Sequence, residues 1–415
     1  MSNRCTDAKR IRAFVLRHLP EAERFLCEMI RIPSLSGHEK SLMPLLERRF
    51  SAIGLAVERI PLRDAIRNDP DYSSPLPDIR YNGRYNLRIL RKGAGKGRSL
   101  IVNTHTDVVP ISLREGDSCG AIVSGGRIKG PGACDAKGQI AALYLLLKSL
   151  NECAVPPMGD IEIHLVVEEE NGGNGTLAMV RRGFSADGCI VMEPTEMRVC
   201  TSVRGALWFR LAVRGRSGHS SQVGRSRSAL ATAREAMAAM EEFHRRLVGK
   251  SQDVPLFDRL RSPMPLTFGK LQSGIWPAAI PENALVEGVI GFLPNFSKEQ
   301  VCKGMRDAVR SRLGKTFKDC SLTFTYRHDG SVLDPTHELP VGLLKAGRVA
   351  GSSLKIAALP ASCDAWLYRN HLRIPTVVFG PGSLGVAHSP SEFIVRKDLA
   401  RAGAILAAFL LDYCG

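Results

Sequence analysis

From residue 98 the chain alternates short apolar runs with longer segments of helical period. RSLIVNTH reads as a strand, CDAKGQIAALYLLLKSL as a helix, DIEIHLVVEEE as a strand, GTLAMVRRG as a helix and GCIVME as another strand. Such alternation predicts an α/β domain with a mainly parallel sheet and helices on its faces. In that geometry functional groups gather just beyond the carboxyl ends of the strands.

After EPTE the pattern changes. ALWFRLAVRG, LTFGKL, ALVEGVIGFLP and CSLTFTY read as strands, and SALATAREAMAAMEEFHRRL and SKEQVCKGMRDAVRSRLG as helices between them. Four strands and two helices in this order predict a small antiparallel α+β unit inserted into the larger domain. A helix (LPVGLLKAGRVAG), a strand (TVVFG) and a closing helix (DLARAGAILAAFLLDY) then return to the α/β character. The expected division is a discontinuous larger domain, residues 1–203 and 331–415, interrupted by a smaller one at 204–330. No internal repeat or low-complexity tract is visible.

A chain of 415 residues suits two domains and has ample apolar content for their cores. Its 57 basic and 41 acidic residues give a formal charge of +16. The basic residues are spread along the chain, without zinc-finger or RNP patterns, so a nucleic-acid partner is not expected and an anionic small substrate is the better use of the charge. Eleven cysteines without a CxxC pair, and an amphipathic N-terminus without the apolar stretch of a signal peptide, point to buried thiols in a reducing cytoplasm. No window approaches the roughly 18 apolar residues of a membrane span.

Imidazoles and carboxylates recur at strand ends. His105 closes SLIVNTH, Glu169 and Glu170 close IEIHLVVEEE, Glu193 closes GCIVME, His388 follows TVVFGPGSLGVA, and Asp135 opens the helix after GPGAC. Singly, each has an ordinary structural explanation. Together at the rim of an apolar sheet they are costly unless paired or bound to a cation. A mixed nitrogen and oxygen set is what zinc accepts, with cobalt or manganese possible by the same chemistry.

EMIRIPSLSGHE, HTDVVP, GPGACDAKG, VVEEENGGNGT, MEPTE, GRSGHSS and GPGSLGVAHSPSEF, in this order and spacing, resemble the M20 family of metallopeptidases and deacylases over nearly the whole chain. That group includes acetylornithine deacetylase and succinyl-diaminopimelate desuccinylase. The resemblance implies a phosphorylase/hydrolase-like catalytic domain with an inserted lid and dimerisation domain. It also implies two zinc ions, with cobalt or manganese possible. His105 and Glu193 would hold one ion, Glu170 and His388 the other, and Asp135 would bridge them. Asp107 would support His105, Glu169 would be the general base, and Glu392 would lend outer support to the site. Glu168 would be surplus, because the register of the acidic run rests on counting back from GGNGT.

For His219, in GRSGHSS, the resemblance implies a place on the lid of one subunit and an oxyanion-stabilising role in the active site of a partner subunit. The plainer alternative is that it satisfies a turn beside Ser220 and Ser221. Several relatives carry an Asn before the lid proline and an Arg in the following strand to hold a substrate carboxylate. Here Ala278, Val289 and Gly291 stand in those places, leaving Arg204, Arg225 and Arg227 as candidates. The segment SLREGDSCGAIVSGGRIKGPG also lacks the Trp-x-x-x-Pro-Phe-type sequence of the acetylornithine and succinyl-diaminopimelate enzymes. The expected function is hydrolysis of an amide that frees an amino acid or related amine from its acyl group. A carboxypeptidase or dipeptidase is the alternative within the family, and a non-catalytic binding protein the alternative outside it. A homodimer acting on an N-acyl amino acid or a dipeptide-like molecule follows from the same resemblance.

Overall fold

The computed structural model of the protein describes residues 2–76, 79–111, 120–153, 156–222 and 226–415. Nine strands among them form one mixed sheet. Its path runs Ala56–Pro61, Tyr85–Arg91, Ile161–Val166, Leu100–His105, Gly188–Val191, Thr376–Val378, Val199–Val203 and Ser331–Val332, with Ile356–Leu359 branching from Val199–Val203. The pairings from Ile161–Val166 across to Thr376–Val378 are parallel. Those outside this centre are antiparallel, except for the branch strand. The expected parallel sheet is therefore the middle of a mixed one, where helices connect successive strands.

Period-two burial explains why these strands are apolar throughout. Leu100 and Val102 enter the core on one face, whereas Ile101 enters the core on the other; Ile190 is likewise opposed to Cys189 and Val191. On the first face lies the helix Lys137–Cys153, buried nearly all round and packed against Ser2–Arg31 and Arg396–Tyr413. On the second face lie Asn174–Arg181 and the segment Leu367–His371. Cys134, Cys189, Cys200, Cys363 and Cys414 are buried thiols in or beside these layers.

The inserted unit has its own four-stranded antiparallel sheet in the order Leu266–Ser273, Asn283–Phe292, Gly205–Arg214, Cys320–His328. Along Gly205–Arg214 the side chains of Leu207, Phe209, Leu211 and Val213 face a separate core, while Trp208, Arg210 and Arg214 face outward. The helices Ala229–Gly249 and Lys298–Leu313 cover the inner face. Ser228 and Ser297 cap them; Ser297 exchanges side-chain and backbone hydrogen bonds with Gln300. A strap from the larger domain holds this unit. Arg327 donates to the carbonyls of Pro70 and Tyr72 at 2.6 and 2.8 Å, and Lys298 pairs with Asp71.

One boundary departs from the expectation. The helix after GPGAC begins at Lys137, so Asp135 lies in the turn before it. Gly130 and Gly132, at φ +142° and +77°, form this turn in conformations that favour glycine. Lys137 anchors it from behind, its buried Nζ donating to the carbonyls of Met29 and Ile32 at 3.0 and 2.9 Å. Gly138 closes the contact, since a Cβ there would lie 2.2 Å from the Ala133 carbonyl oxygen. Gly138→Ala is expected to lower the unfolding free energy by about 1–3 kcal/mol through overpacking. Chemical denaturation of the variant checks it.

Candidate metal centre and active site

Because the central strands are parallel, their carboxyl ends bring His105, the Glu168–Glu170 run and Glu193 to one rim of the sheet, which His388 joins from the segment after Thr376–Val378. His105 lies with Nδ1 3.0 Å from the Asp107 carbonyl oxygen and Nε2 3.0 Å from Asp135 Oδ1. A proton on Nδ1 given to that carbonyl leaves Nε2 as a ligand atom. Asp135 Oδ2 is 3.2 Å from His388 Nε2, which is also 2.8 Å from Glu170 Oε1. Glu193 Oε2 stands 3.8 Å from His105 Nε2, and its other oxygen is buried without a hydrogen-bond partner among the described residues. Two groups result, His105, Asp135 and Glu193 on one side and Asp135, Glu170 and His388 on the other, each with ligand atoms within 4.8 Å of one another.

The charges at this rim do not balance. Burial pushes the carboxyls of Glu169 and Glu193 well above their ordinary range, and neighbouring carboxylates push the same way. Glu170 is raised by burial and by Asp135. Burial also acts upward on Asp135, but His105 and His388 hold its carboxyl below the usual range. Hydrogen bonding to Asp135 and Glu170 raises the His388 imidazole to about 11. An array of buried carboxylates facing two imidazoles is therefore short of positive charge. The donor set, the two-sided Asp135 and the unpartnered Glu193 oxygen fit a pair of divalent cations.

Surrounding residues fix the geometry. The Asp107 carboxylate accepts the backbone N–H groups of Glu169 and Glu170, both at 3.1 Å, and the Ser36 hydroxyl at 2.6 Å, tying the acidic run to the His105 strand. Glu392 accepts the backbone N–H groups of Gly132, Cys134 and Asp135 at 3.0, 2.9 and 3.0 Å, and so clamps the turn that carries Asp135. Glu392 reaches that turn because Phe393–Val395 pairs with Arg127–Lys129.

Glu168 is not surplus. It is fully buried, pairs with Arg84, and accepts from Tyr81 Oη at 2.8 Å and Asn174 Nδ2 at 2.9 Å. Arg84 also binds Glu39 at 2.7 Å. Glu168 adopts φ +60°, which turns the following Glu169 and Glu170 toward the rim.

The profile of Peptidase family M20/M25/M40 matches residues 101–412. The chain is 31% identical over 408 residues to succinyl-diaminopimelate desuccinylase of Dinoroseobacter shibae, covering 93% of this chain and 97% of that protein. It is 25% identical over 402 residues to acetylornithine deacetylase of Myxococcus xanthus, covering 96% and 98%. Among solved structures, a dipeptidase from Saccharomyces cerevisiae superposes with a TM-score of 0.80 at 13% identity, covering 98% of both chains.

The chain belongs to peptidase family M20/M25/M40.

Membership makes it a hydrolase of amide bonds. Of the residues singled out in this M20 sequence, His105, Asp107, Asp135, Glu169, Glu170, Glu193 and His388 meet at one rim, and Glu392 stands behind them. His219 does not join them within the chain. It is exposed on the inserted unit, where Nδ1 accepts the Ser221 N–H at 3.2 Å and lies 2.9 Å from Ser221 Oγ. Arg204 donates to the carbonyl of Pro360 at 2.6 Å, and its guanidinium packs on Gly291, where a Cβ would lie 2.6 Å from Nη1. Arg227 pairs with Asp319 at 2.7 Å. Arg225 and residues 112–119 lie outside the described residues.

Sequence reasoning missed Arg84, Glu39, His328 and Asp364. Glu169 lies within 4.8 Å of His328 and Asp364 as well as of His105 and Glu170. Burial raises Asp364 to about 7 and lowers His328 to about 3. Glu39 closes the EMIRIPSLSGHE segment, whereas Arg84, His328 and Asp364 stand in no motif that sets them apart from ordinary polar residues.

Arg84→Met is expected to destabilise the fold by about 3–5 kcal/mol, because it strands Glu39 and Glu168 as unpaired buried carboxylates. Urea unfolding measures it, and an effect below about 1 kcal/mol would contradict the pairing.

Proposed function

We propose that this protein is a two-cation amidohydrolase that removes an acyl group from an N-acylated amino acid or related amine. The observation that carries this reading is Asp135, whose two oxygens face the Nε2 atoms of His105 and His388 at 3.0 and 3.2 Å. One cation would be held by His105, Asp135 and Glu193, and the other by Asp135, Glu170 and His388. When bound, the pair supplies Lewis acidity, polarising an amide carbonyl and lowering the pKa of water. Zinc suits the donor set, and cobalt and manganese share its chemistry.

Glu169 is the proton carrier. Its oxygen belongs with His105 and Glu170 but not with the Asp135, Glu170 and His388 group, which supports the division of roles between Glu169 and Glu170. Burial and the Glu193 charge raise its proton affinity, so it takes a proton from the attacking water and can hand it to the departing amine. That second transfer is required because an amine does not leave as an anion. Asp107 positions His105, and Glu392 positions Asp135.

His219 completes the site from a second copy. Its exposure, and its absence from the rim of its own chain, support a homodimer in which each inserted unit lends its imidazole to the partner. There it donates to the oxyanion that forms as the amide is attacked. Arg204 is the candidate grip for a substrate carboxylate, as its guanidinium fills the place a side chain at Gly291 would take. The fully soluble fold and the reducing compartment remain part of this proposal, and no described helix is long and apolar enough to cross a membrane.

The test is a panel of N-acetyl, N-succinyl and N-formyl amino acids and dipeptides, with products identified by mass spectrometry before and after chelation. Chelator-sensitive release of a free amino acid from an N-acyl substrate is expected. Cleavage of dipeptides alone would move the protein to the dipeptidase reading. Glu169→Gln should lower kcat by at least about 100-fold while the protein keeps its cations. His219→Ala should lower kcat by about 100- to 1,000-fold with metal content unchanged. Full activity of the His219 variant would remove the role in the partner's site.

A further inference from the structure

Beyond the paired centre, a second group of buried donors shares Glu169. His328 ends the strand Cys320–His328 and is completely buried. Its Nδ1 is 2.9 Å from Tyr326 Oη, which in turn is 3.1 Å from Ser362 Oγ; the ring also meets the Gly172 backbone, but Nε2 makes no well-aligned hydrogen bond among the described residues. Asp364, also completely buried, accepts the Thr176 hydroxyl on Oδ2 at 2.6 Å and leaves Oδ1 without a partner among the described residues.

These two orphaned atoms converge. A Cβ built on Gly173 would lie 2.4 Å from Asp364 Oδ1 and 3.0 Å from His328 Nε2. The Glu169 carboxylate completes the group, all three donor atoms lying within 4.8 Å of one another. One imidazole nitrogen and two carboxylate oxygens, the His328 and Asp364 atoms buried without a well-aligned hydrogen bond among the described residues, make a donor set that zinc takes with a fourth position left for water.

We propose that Glu169, His328 and Asp364 form a third cation site, distinct from the pair around Asp135, and that zinc seated there withdraws Glu169 from proton transfer. The consequence is inhibition by excess zinc. A Glu169 carboxylate that ligates a cation on the His328 side gives up electron density to it and is a weaker base toward water on the His105 side. The inhibitory consequence rests on the role given to Glu169 under the proposed function, whereas the binding site does not. Its position also couples the site to the inserted unit, because His328 closes the outer strand of that unit's sheet.

The experiment titrates chelator-stripped, full-length protein with zinc chloride by equilibrium dialysis and elemental analysis, alongside amide hydrolysis at each zinc concentration. Wild-type protein is expected to take up three equivalents, the third weakest, and to lose at least 10-fold of its activity as the third fills. His328→Gln and Asp364→Asn should each stop at two equivalents, with activity relative to their own low-zinc value unaffected by further zinc. Retention of the two tight equivalents reports that a variant has folded, and two separate variants guard against the loss of one. Wild type that stops at two equivalents, or variants that still bind a third, would overturn the site. Three equivalents without inhibition would overturn its effect on Glu169. If no protein hydrolyses any amide, the proposed function fails on its own, and the difference in stoichiometry between wild type and His328→Gln still decides the third site.

Discussion

The structure depends on the burial of carboxylates against too few positive groups. Asp135, Glu169, Glu170 and Glu193 are held at the rim of the sheet, faced by His105 and His388 and, behind Glu169, by His328. Removing charged groups from water is expensive, and like charges in a low-dielectric site raise one another's proton affinity. Such an arrangement persists where a cation is to be bound. The other features of the site serve to hold this unfavourable cluster in register.

That register comes from backbone contacts more than from the ligands themselves. Asp107 fastens the Glu169–Glu170 backbone to the His105 strand, and Glu392 fastens the Asp135 turn to the strand that follows His388. Both carboxylates accept backbone N–H groups, and Asp107 the Ser36 hydroxyl as well, which sets them behind the rim rather than in it. Beneath the acidic run, Arg84 bridges the buried carboxylates of Glu39 and Glu168 in a closed polar knot. The parallel centre of the sheet supplies the common direction, because only parallel strands deliver successive carboxyl ends to one rim.

How far this was legible in the sequence follows from the range over which each interaction acts. The α/β alternation, the inserted four-stranded unit and the strand-end residues were readable because periodicity and chain order report local structure. The helix start was misplaced by a few residues, since GPGACDAKG looks helical until the glycine turn and the Glu392 clamp are taken into account. Glu168 was misjudged for another reason. A run of three glutamates looks solvated, and its partner Arg84 lies 84 residues away with no motif to mark it. His328 and Asp364 were invisible for the same cause, as they come from distant segments that meet only in the folded chain. Recognising the family pointed to the residues that meet at the rim, but it said nothing of the donors behind Glu169.

The two halves of the molecule thus divide the work. The mixed sheet gathers the charges, and the inserted unit carries His328 inward and His219 outward. The account stands or falls on whether one carboxylate is shared between two cations. Anomalous diffraction at the zinc edge, from crystals of protein loaded with two equivalents, tests this directly. The account predicts two peaks about 3.5–4 Å apart on either side of the Asp135 carboxylate. A single peak, or two peaks without Asp135 as their common ligand, would contradict it.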